Sequence, residues 1–364
     1  MADTDLDLGG LAHGDDEMVV TTARVQRWQV PLRTPFVNAR GPVKTRSGAL
    51  LRVEVGNGLV GWGEAAPLDG FSPETLHDVV AALEVWAGDV VARPLTALPA
   101  VDSRGGGTAR SAATSAALDV VARRADCSLA TLLAWPGSAR PVVATNVVVG
   151  SVDPVEAARA AEAGVSRGHR TVKLKVGHGS VGDDVKLVGA VRAAVGPDIA
   201  IRIDANGVWT EPTAVATLDR LASFAIEYVE DPVIGAEALA RVRAATTVPI
   251  ALDEPLRTAA VLDQHLMERS IDIAVLKPTA LGGPVEAMAL ARRAAASDVG
   301  TIVTSFLDAA VGRAVALAVA AALPDGGAAG LATGDLLATD IAAGHPVVDG
   351  AMALGPSVGL GVDP

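Results

Sequence analysis

From Pro141 onward the chain repeats one pattern, a short apolar run followed by an alanine-rich amphipathic stretch. The runs are VVATNVVVG, TVKLKVG, AIRIDAN, IEYVEDP, IALDEP, IAVLKP, TIVTSF and AAGLATG. Each carries a late polar residue: Asn146, Lys175, Asp204, Glu230, Asp253, Lys277, Thr304 and Thr333, at successive gaps of 29, 29, 26, 23, 24, 27 and 29. Strands alternating with helices at near-constant spacing predict an α/β fold with a parallel βα barrel. An open doubly wound sheet would want a first turn of the form GxGxxG, and VVVGSVDP lacks one.

The segment before Pro141 reads differently. VTTARVQRWQVPL is one strand, and SGALLRVEV and LVGWGEAAPL flank GNG as a hairpin. FSPETLHDVVAALEVW reads as a helix with Ser72 at the N-cap and Pro73 at the first helical position. SAATSAALDVVARRADCSLATLLAW is helical by its apolar spacing. Residues 20 to 130 therefore form an α+β unit. Residues 1–18, small and acidic, read as a disordered tail with neither a basic nor an apolar region of a secretory signal. GWGEAAPLDGF, residues 61–71, reads as a movable loop over the barrel mouth, shaped by its two glycines.

A net charge of −12 argues against nucleic acid or an anionic membrane surface as partner. The apolar run AVALAVAAAL is too short to span a bilayer. Cys127 is the single cysteine, which excludes an internal disulfide and a thiolate metal cluster. A soluble cytoplasmic protein is expected.

The catalytic end of a βα barrel lies at the C-terminal ends of its strands. Five consecutive runs place one ionisable residue there: Lys175, Asp204, Glu230, Asp253 and Lys277. Three carboxylates on neighbouring strands, about 5 Å apart, cannot all stay ionised without a cation. An all-oxygen ligand set of Asp204, Glu230 and Asp253 suits Mg²⁺, or Mn²⁺ in its place. His169, His178 and His265 read as surface residues, which makes a zinc site a weak reading. Lys173 and Lys175 alternate on one strand and share its face. A nearby metal and a second lysine favour the neutral amine of Lys175, making it the candidate base. Lys173 would donate to a substrate carboxylate, and Lys277 would flank the metal from the other side. A base facing a metal-bound carboxylate is arranged to remove the proton α to it.

KLK at 173–175, DAN at 204–206, VEDP at 229–232, LDEP at 252–255 and LKP at 276–278 together resemble the enolase superfamily, over nearly the whole chain from about residue 20. A lysine base with Mg²⁺ stabilising an enediolate is that superfamily's known chemistry. The resemblance implies a (β/α)7β TIM-like barrel with an α+β capping domain built from the N-terminal region and the C-terminal tail. The divisions are then 1–18 for the tail, 19–130 for the capping domain, 131–335 for the barrel and 336–364 for the returning segment. GWGEAAPLDGFSPET, LKPTALGGP, TSFLDAAVGRA and GLATGDLL look most like the o-succinylbenzoate synthases of menaquinone biosynthesis. That family implies a syn-dehydration of 2-succinyl-6-hydroxy-2,4-cyclohexadiene-1-carboxylate, a small carboxylate substrate. Lys175 would take the α-proton and return it to the departing hydroxyl. Lys277 would stay cationic against the ring-derived anion. Lys173, Asn206, Ser305 and Asp308 would contact substrate, although FLDAAVG departs from the serine-bearing pattern of many members.

Two opposed lysines would also serve an N-succinylamino acid racemase. A dipeptide epimerase would carry Asp-x-Asp near the eighth strand, where this chain has Gly330, Leu331 and Ala332. The match of the 61–75 segment also counts against a muconate cycloisomerase. A non-catalytic binding barrel would have lost its costly buried charges, and all five are present.

Overall fold

Strand β1 (Val20–Asn38) pairs antiparallel with β2 (Gly41–Val55), which pairs antiparallel with β3 (Val60–Ala65). The computed structural model describes residues 18–38, 41–98, 100–101, 106–134, 136–324 and 326–364. The expected acidic tail lies outside them, apart from Met18, which is buried in the core. Two helices, α1 (Leu76–Val90) and α2 (Thr108–Arg124), pack on this sheet. The start of α1 differs from the sequence reading. Thr75 is its N-cap and exchanges a capping box with Asp78, whereas the Ser72 hydroxyl accepts from Leu68 N at 2.9 Å. The GWG glycines are not a movable loop either. They lie in β3, and a Cβ on Gly61 or Gly63 would stand 2.1 Å from Ala116 O or 1.9 Å from Ala112 O. Their role is to let the backbone of α2 rest directly on the strand. The long helical segment divides at Asp126, whose φ is +51°, and resumes as α3 (Leu129–Ala134).

VVATNVVVG also divides. Thr145 N and Oγ1 both donate to Gly350 O, at 2.8 and 2.9 Å. This draws β4 (Val142–Ala144) away from the parallel sheet and leaves β5 (Val147–Val149) to enter it. Asn146 therefore precedes its strand instead of ending it. Next come α4 (Pro154–Ser166), β6 (Thr171–Lys175), α5 (Val181–Val195), β7 (Ala200–Asp204), α6 (Glu211–Leu221), β8 (Ile226–Glu230) and α7 (Ala236–Ala244). They are followed by β9 (Ile250–Leu252), α8 (Ala259–Met267), β10 (Ile273–Leu276), the short α9 (Pro278–Leu281), α10 (Pro284–Ala295), β11 (Gly300–Val303) and α11 (Ala310–Ala322).

The seven strands form one parallel sheet in the order β11-β10-β9-β8-β7-β6-β5. Its strands are Val/Ile/Leu-rich because both faces are covered. On the inner face Tyr228, Ala251, Val275 and Ile302 form their own buried cluster. Below the site, buried Arg202 stacks on Tyr228 and pairs with Glu227 at 2.8 Å. The expected eighth strand is reduced to two bridging residues. Ala329 exchanges hydrogen bonds with Ala144 and Asn146, and Gly330 with Val303 and Ser305, so this pair links the two edges of the sheet. A Cβ on Gly330 would meet Thr304 Oγ1 at 2.3 Å, which requires glycine there. Thr333 lies beyond, in a 3-10 turn over Ala332–Leu336.

The C-terminal segment forms β12 (Val347–Val348) and β13 (Ala351–Ala353), and β13 pairs with β4. It also reaches the N-terminal unit: Ala338 N donates to Pro31 O, Leu129 N to Gly359 O and Leu360 N to Asp119 Oδ1. Among the described residues no helix is long and apolar enough to cross a membrane.

Candidate active site

Lys175, Asp204 and Glu230 stand opposite one another in the registers of β6, β7 and β8. In-register residues of a parallel sheet point to the same face, so all three project from the inner face of the curled sheet at the same height. Asp253 follows β9 directly, and Lys277 follows β10 at the N-cap position of α9. Carboxylate oxygens of Asp204, Glu230 and Asp253 lie within 4.8 Å of one another, and all three residues are buried.

Lysines close both ends of this triad. Lys175 Nζ donates to Asp204 Oδ2 at 2.6 Å and to Asn206 Oδ1 at 3.0 Å. Asn206 is held at φ +46°, with its N–H on Asp204 Oδ1 at 3.0 Å. At the other end, Lys277 Nζ lies 2.9 Å from Asp253 Oδ1 and 3.0 Å from Glu254 Oε1. Between them, Lys173 Nζ pairs with Glu230 and sits 2.9 Å from Asp204 Oδ2. It does not snorkel to the rim.

The electrostatics follow from this crowding. Burial would lower Lys173 and Lys277, but the facing carboxylates outweigh it and hold both above the usual lysine range. Burial would raise Asp204 and Asp253, but the lysines hold both below the usual carboxylate range. Glu230 is pushed well up, by burial and by the charges of Asp204 and Asp253. Glu230 thus carries the repulsion of two neighbouring carboxylates, against which Lys173 is its paired cation. Three converging carboxylates, with Glu230 short of positive charge, fit a hard divalent cation.

Ser305 and Asp308 sit on the loop after β11. Ser305 Oγ is 2.7 Å from Thr333 Oγ1. Asp308 is buried and engaged inside the protein, accepting from Phe306 N at 2.8 Å and from the Thr279 hydroxyl. His169 and His265 are buried, not surface residues. His169 Nδ1 meets Thr145 O at 2.9 Å, and His265 Nδ1 meets Ser270 Oγ at 2.7 Å. Neither belongs to the group that could hold a metal.

Several site residues escape a reading by strand ends. Asp231 accepts from Asp253 N and Glu254 N, at 3.0 and 2.8 Å, and so sets the start of the loop after β9. Burial and the Asp253 charge push its carboxyl up to about 7. Glu254 holds Lys277, and its place in LDEP was the available signal. Phe306 carries Lys277 Nζ 5.6 Å from its ring centroid. From β2, buried Arg46 donates to Ala66 O, to Pro67 O at 2.5 Å and to Leu307 O at 2.9 Å. It ties the 66–71 loop to the loop after β11, where Leu68, Phe71, Ala280 and Phe306 form an apolar cluster. No local sequence pattern marks such a contact.

Residues 156–364 match the Enolase C-terminal domain-like family, and residues 20–109 match the MenC N-terminal domain. An o-succinylbenzoate synthase of Thermobifida fusca is 34% identical, over 86% of this chain and 81% of that protein. The chain belongs to the o-succinylbenzoate synthase family of the enolase superfamily. An N-succinyl-L-Arg/Lys racemase of Bacillus cereus is 27% identical, over 81% of this chain and 82% of that protein. A dipeptide epimerase of Enterococcus faecalis, solved with Mg and the dipeptide L-Leu-L-Tyr, is 26% identical with a TM-score of 0.88, over 95% of this chain and 100% of that one.

Proposed function

We propose that this protein is a cytoplasmic, Mg²⁺-dependent o-succinylbenzoate synthase of menaquinone biosynthesis. The observation that carries the reading is the buried carboxylate triad with Lys175 at one end and Lys277 at the other. Asp204, Glu230 and Asp253 would hold the metal; when bound, it holds the substrate carboxylate and offsets charge that develops there. Lys175 Nζ removes the proton from C1 of the cyclohexadiene. The electron pair then expels the C6 hydroxyl, which leaves as water with the proton that Lys175 carried. The ring becomes aromatic and 2-succinylbenzoate results. One base on one face serves both transfers, so the elimination is syn. Lys277 remains an ammonium and stabilises the anionic intermediate. Lys173 and Asn206 orient the substrate carboxylate and the base, and Ser305 borders the far side. We read Asp308 as holding its loop beneath the substrate.

In the same reading the fold is a (β/α)7β barrel over 131–335, with Ala329 and Gly330 as the eighth strand. A capping domain over 19–130 is completed by 336–364. The two lysines also support N-succinylamino acid racemisation as a second reading, alongside the relative of that activity. A substrate panel tests both. With Mg²⁺, the cyclohexadiene carboxylate should be dehydrated faster than the α-proton of N-succinylamino acids exchanges in D₂O. The reverse order would select the racemase, and absence of either reaction would reject both.

A further inference from the structure

Arg257 is a cation at the barrel mouth that the chemistry above does not use. It lies on the loop between β9 and α8, just before the N-cap Thr258. Its guanidinium carbon is 5.0 Å from the centroid of the Phe306 ring, the ring that also faces Lys277. Glu254 is divided between the two cations: Oε1 accepts from Lys277 Nζ at 3.0 Å, and Oε2 from Arg257 at 3.2 Å. The two differ in access. The Lys277 side chain is 8% exposed and that of Arg257 is 22% exposed.

A guanidinium has five N–H donors in a rigid fork that matches a carboxylate. Stacking on an aromatic face leaves the edge of that fork free to bind in plane. Among the described residues Arg257 hydrogen-bonds Glu254 alone, so most of its donors are open. Beside it lies the apolar cluster of Leu68, Phe71, Ala280 and Phe306. The mouth therefore offers an apolar wall that ends in a reachable cation, next to the end of the triad that Lys277 closes.

We propose that Arg257 is the specificity residue for the aliphatic carboxylate at the far end of the substrate's succinyl chain. The inference rests on the synthase reading, in which the ring carboxylate goes to the metal and a second carboxylate remains. The apolar cluster takes the methylenes of that chain, and Arg257 takes the terminal charge.

The test crosses a residue with a ligand group. Calorimetric titrations of the Mg²⁺-loaded protein compare 2-succinylbenzoate with its analogue in which the aliphatic carboxylate is an amide. The wild type should prefer the dicarboxylate by about ten- to hundredfold, the range of a charge-assisted hydrogen bond. In Arg257→Gln that preference should collapse, through loss of dicarboxylate affinity with amide affinity unchanged. Arg257→Lys should recover part of it, and keeps the test open if the Gln variant does not fold. In turnover, KM should rise more than kcat falls. Equal weakening of both ligands, or an intact preference in the variants, would overturn the assignment while wild-type dehydration still supports the synthase. A wild type that neither binds 2-succinylbenzoate nor dehydrates the cyclohexadiene would overturn the synthase reading and this inference with it.

Discussion

At the scale of single residues, the two lysines that close the triad are not equivalent. Among the described residues Lys175 donates to Asp204 and the Asn206 amide oxygen alone, and its side chain is 29% exposed. Lys277 is buried between Asp253 and Glu254, which keep it charged. A one-base elimination needs proton transfer at Lys175 and only positive charge at Lys277. Arginine keeps the charge and does not deprotonate. Lys175→Arg should therefore abolish dehydration, whereas Lys277→Arg should lower kcat by about tenfold to a thousandfold and leave it measurable. Any racemase activity should vanish in both; equal and complete loss of dehydration would instead assign a proton transfer to Lys277. Glu230→Gln removes one ligand charge from the triad. It should abolish most activity and weaken Mg²⁺ binding measured calorimetrically, with the circular dichroism spectrum retained. These residues were legible because chemistry imposed what packing alone does not favour: charges at the ends of Val/Ile/Leu strands. Arg257 and Phe306 were not legible, because their meaning comes from two loops that meet only in the folded protein.

At the scale of elements, periodicity revealed the repeating strands and helices but not their partners. Nothing in VVATNVVVG announces that its first half pairs with β13, since that choice is made by hydrogen bonds from Thr145 to a glycine some two hundred residues later. Nor did AAGLATG reveal that two residues would suffice to link the sheet's edges. The GWG motif was visible as a motif and misread as a loop, because glycine signals both a turn and a close backbone approach. The difference is testable. Gly63→Ala places a methyl against the backbone of Ala112, which cannot rotate away as a side chain can. It should destabilise the protein by about 1–3 kcal/mol or more, on the scale of overpacking, seen as a lower denaturant midpoint. Gly58→Ala, at a turn with open space around it, should cost less and only through its φ of +83°. If Gly63→Ala is as mild as Gly58→Ala, the seat of α2 on β3 is not rigid.

At the scale of the whole molecule, Glu64 joins the N-terminal antiparallel sheet to the parallel sheet's last helix. It leaves β3 and accepts from Ala309 N at 2.7 Å and from Gly312 N at 2.8 Å, capping α11 from another unit of the chain. Ala309 itself has no side chain able to cap. Burial, with the charge of Asp308 added, pushes the Glu64 carboxyl from 4.5 up to about 7, although the two N–H donors pull it back. Burial also raises Asp308. For a group raised on folding, the folded state binds more protons between the unfolded and folded pKa values, so stability falls as pH rises through that window. For Glu64 the cost of the buried charge is complete above about pH 7 and relieved as pH falls toward 4.5. Equilibrium unfolding of the wild type should therefore show the contribution of this joint growing from pH 8 to pH 5. Glu64→Gln removes the titration and one of the two acceptors. The variant should be less stable throughout, and its stability should change less with pH across that window. If the pH dependence of unfolding matches the wild type, Glu64 is already protonated or already charged throughout, and the joint between the two units does not titrate.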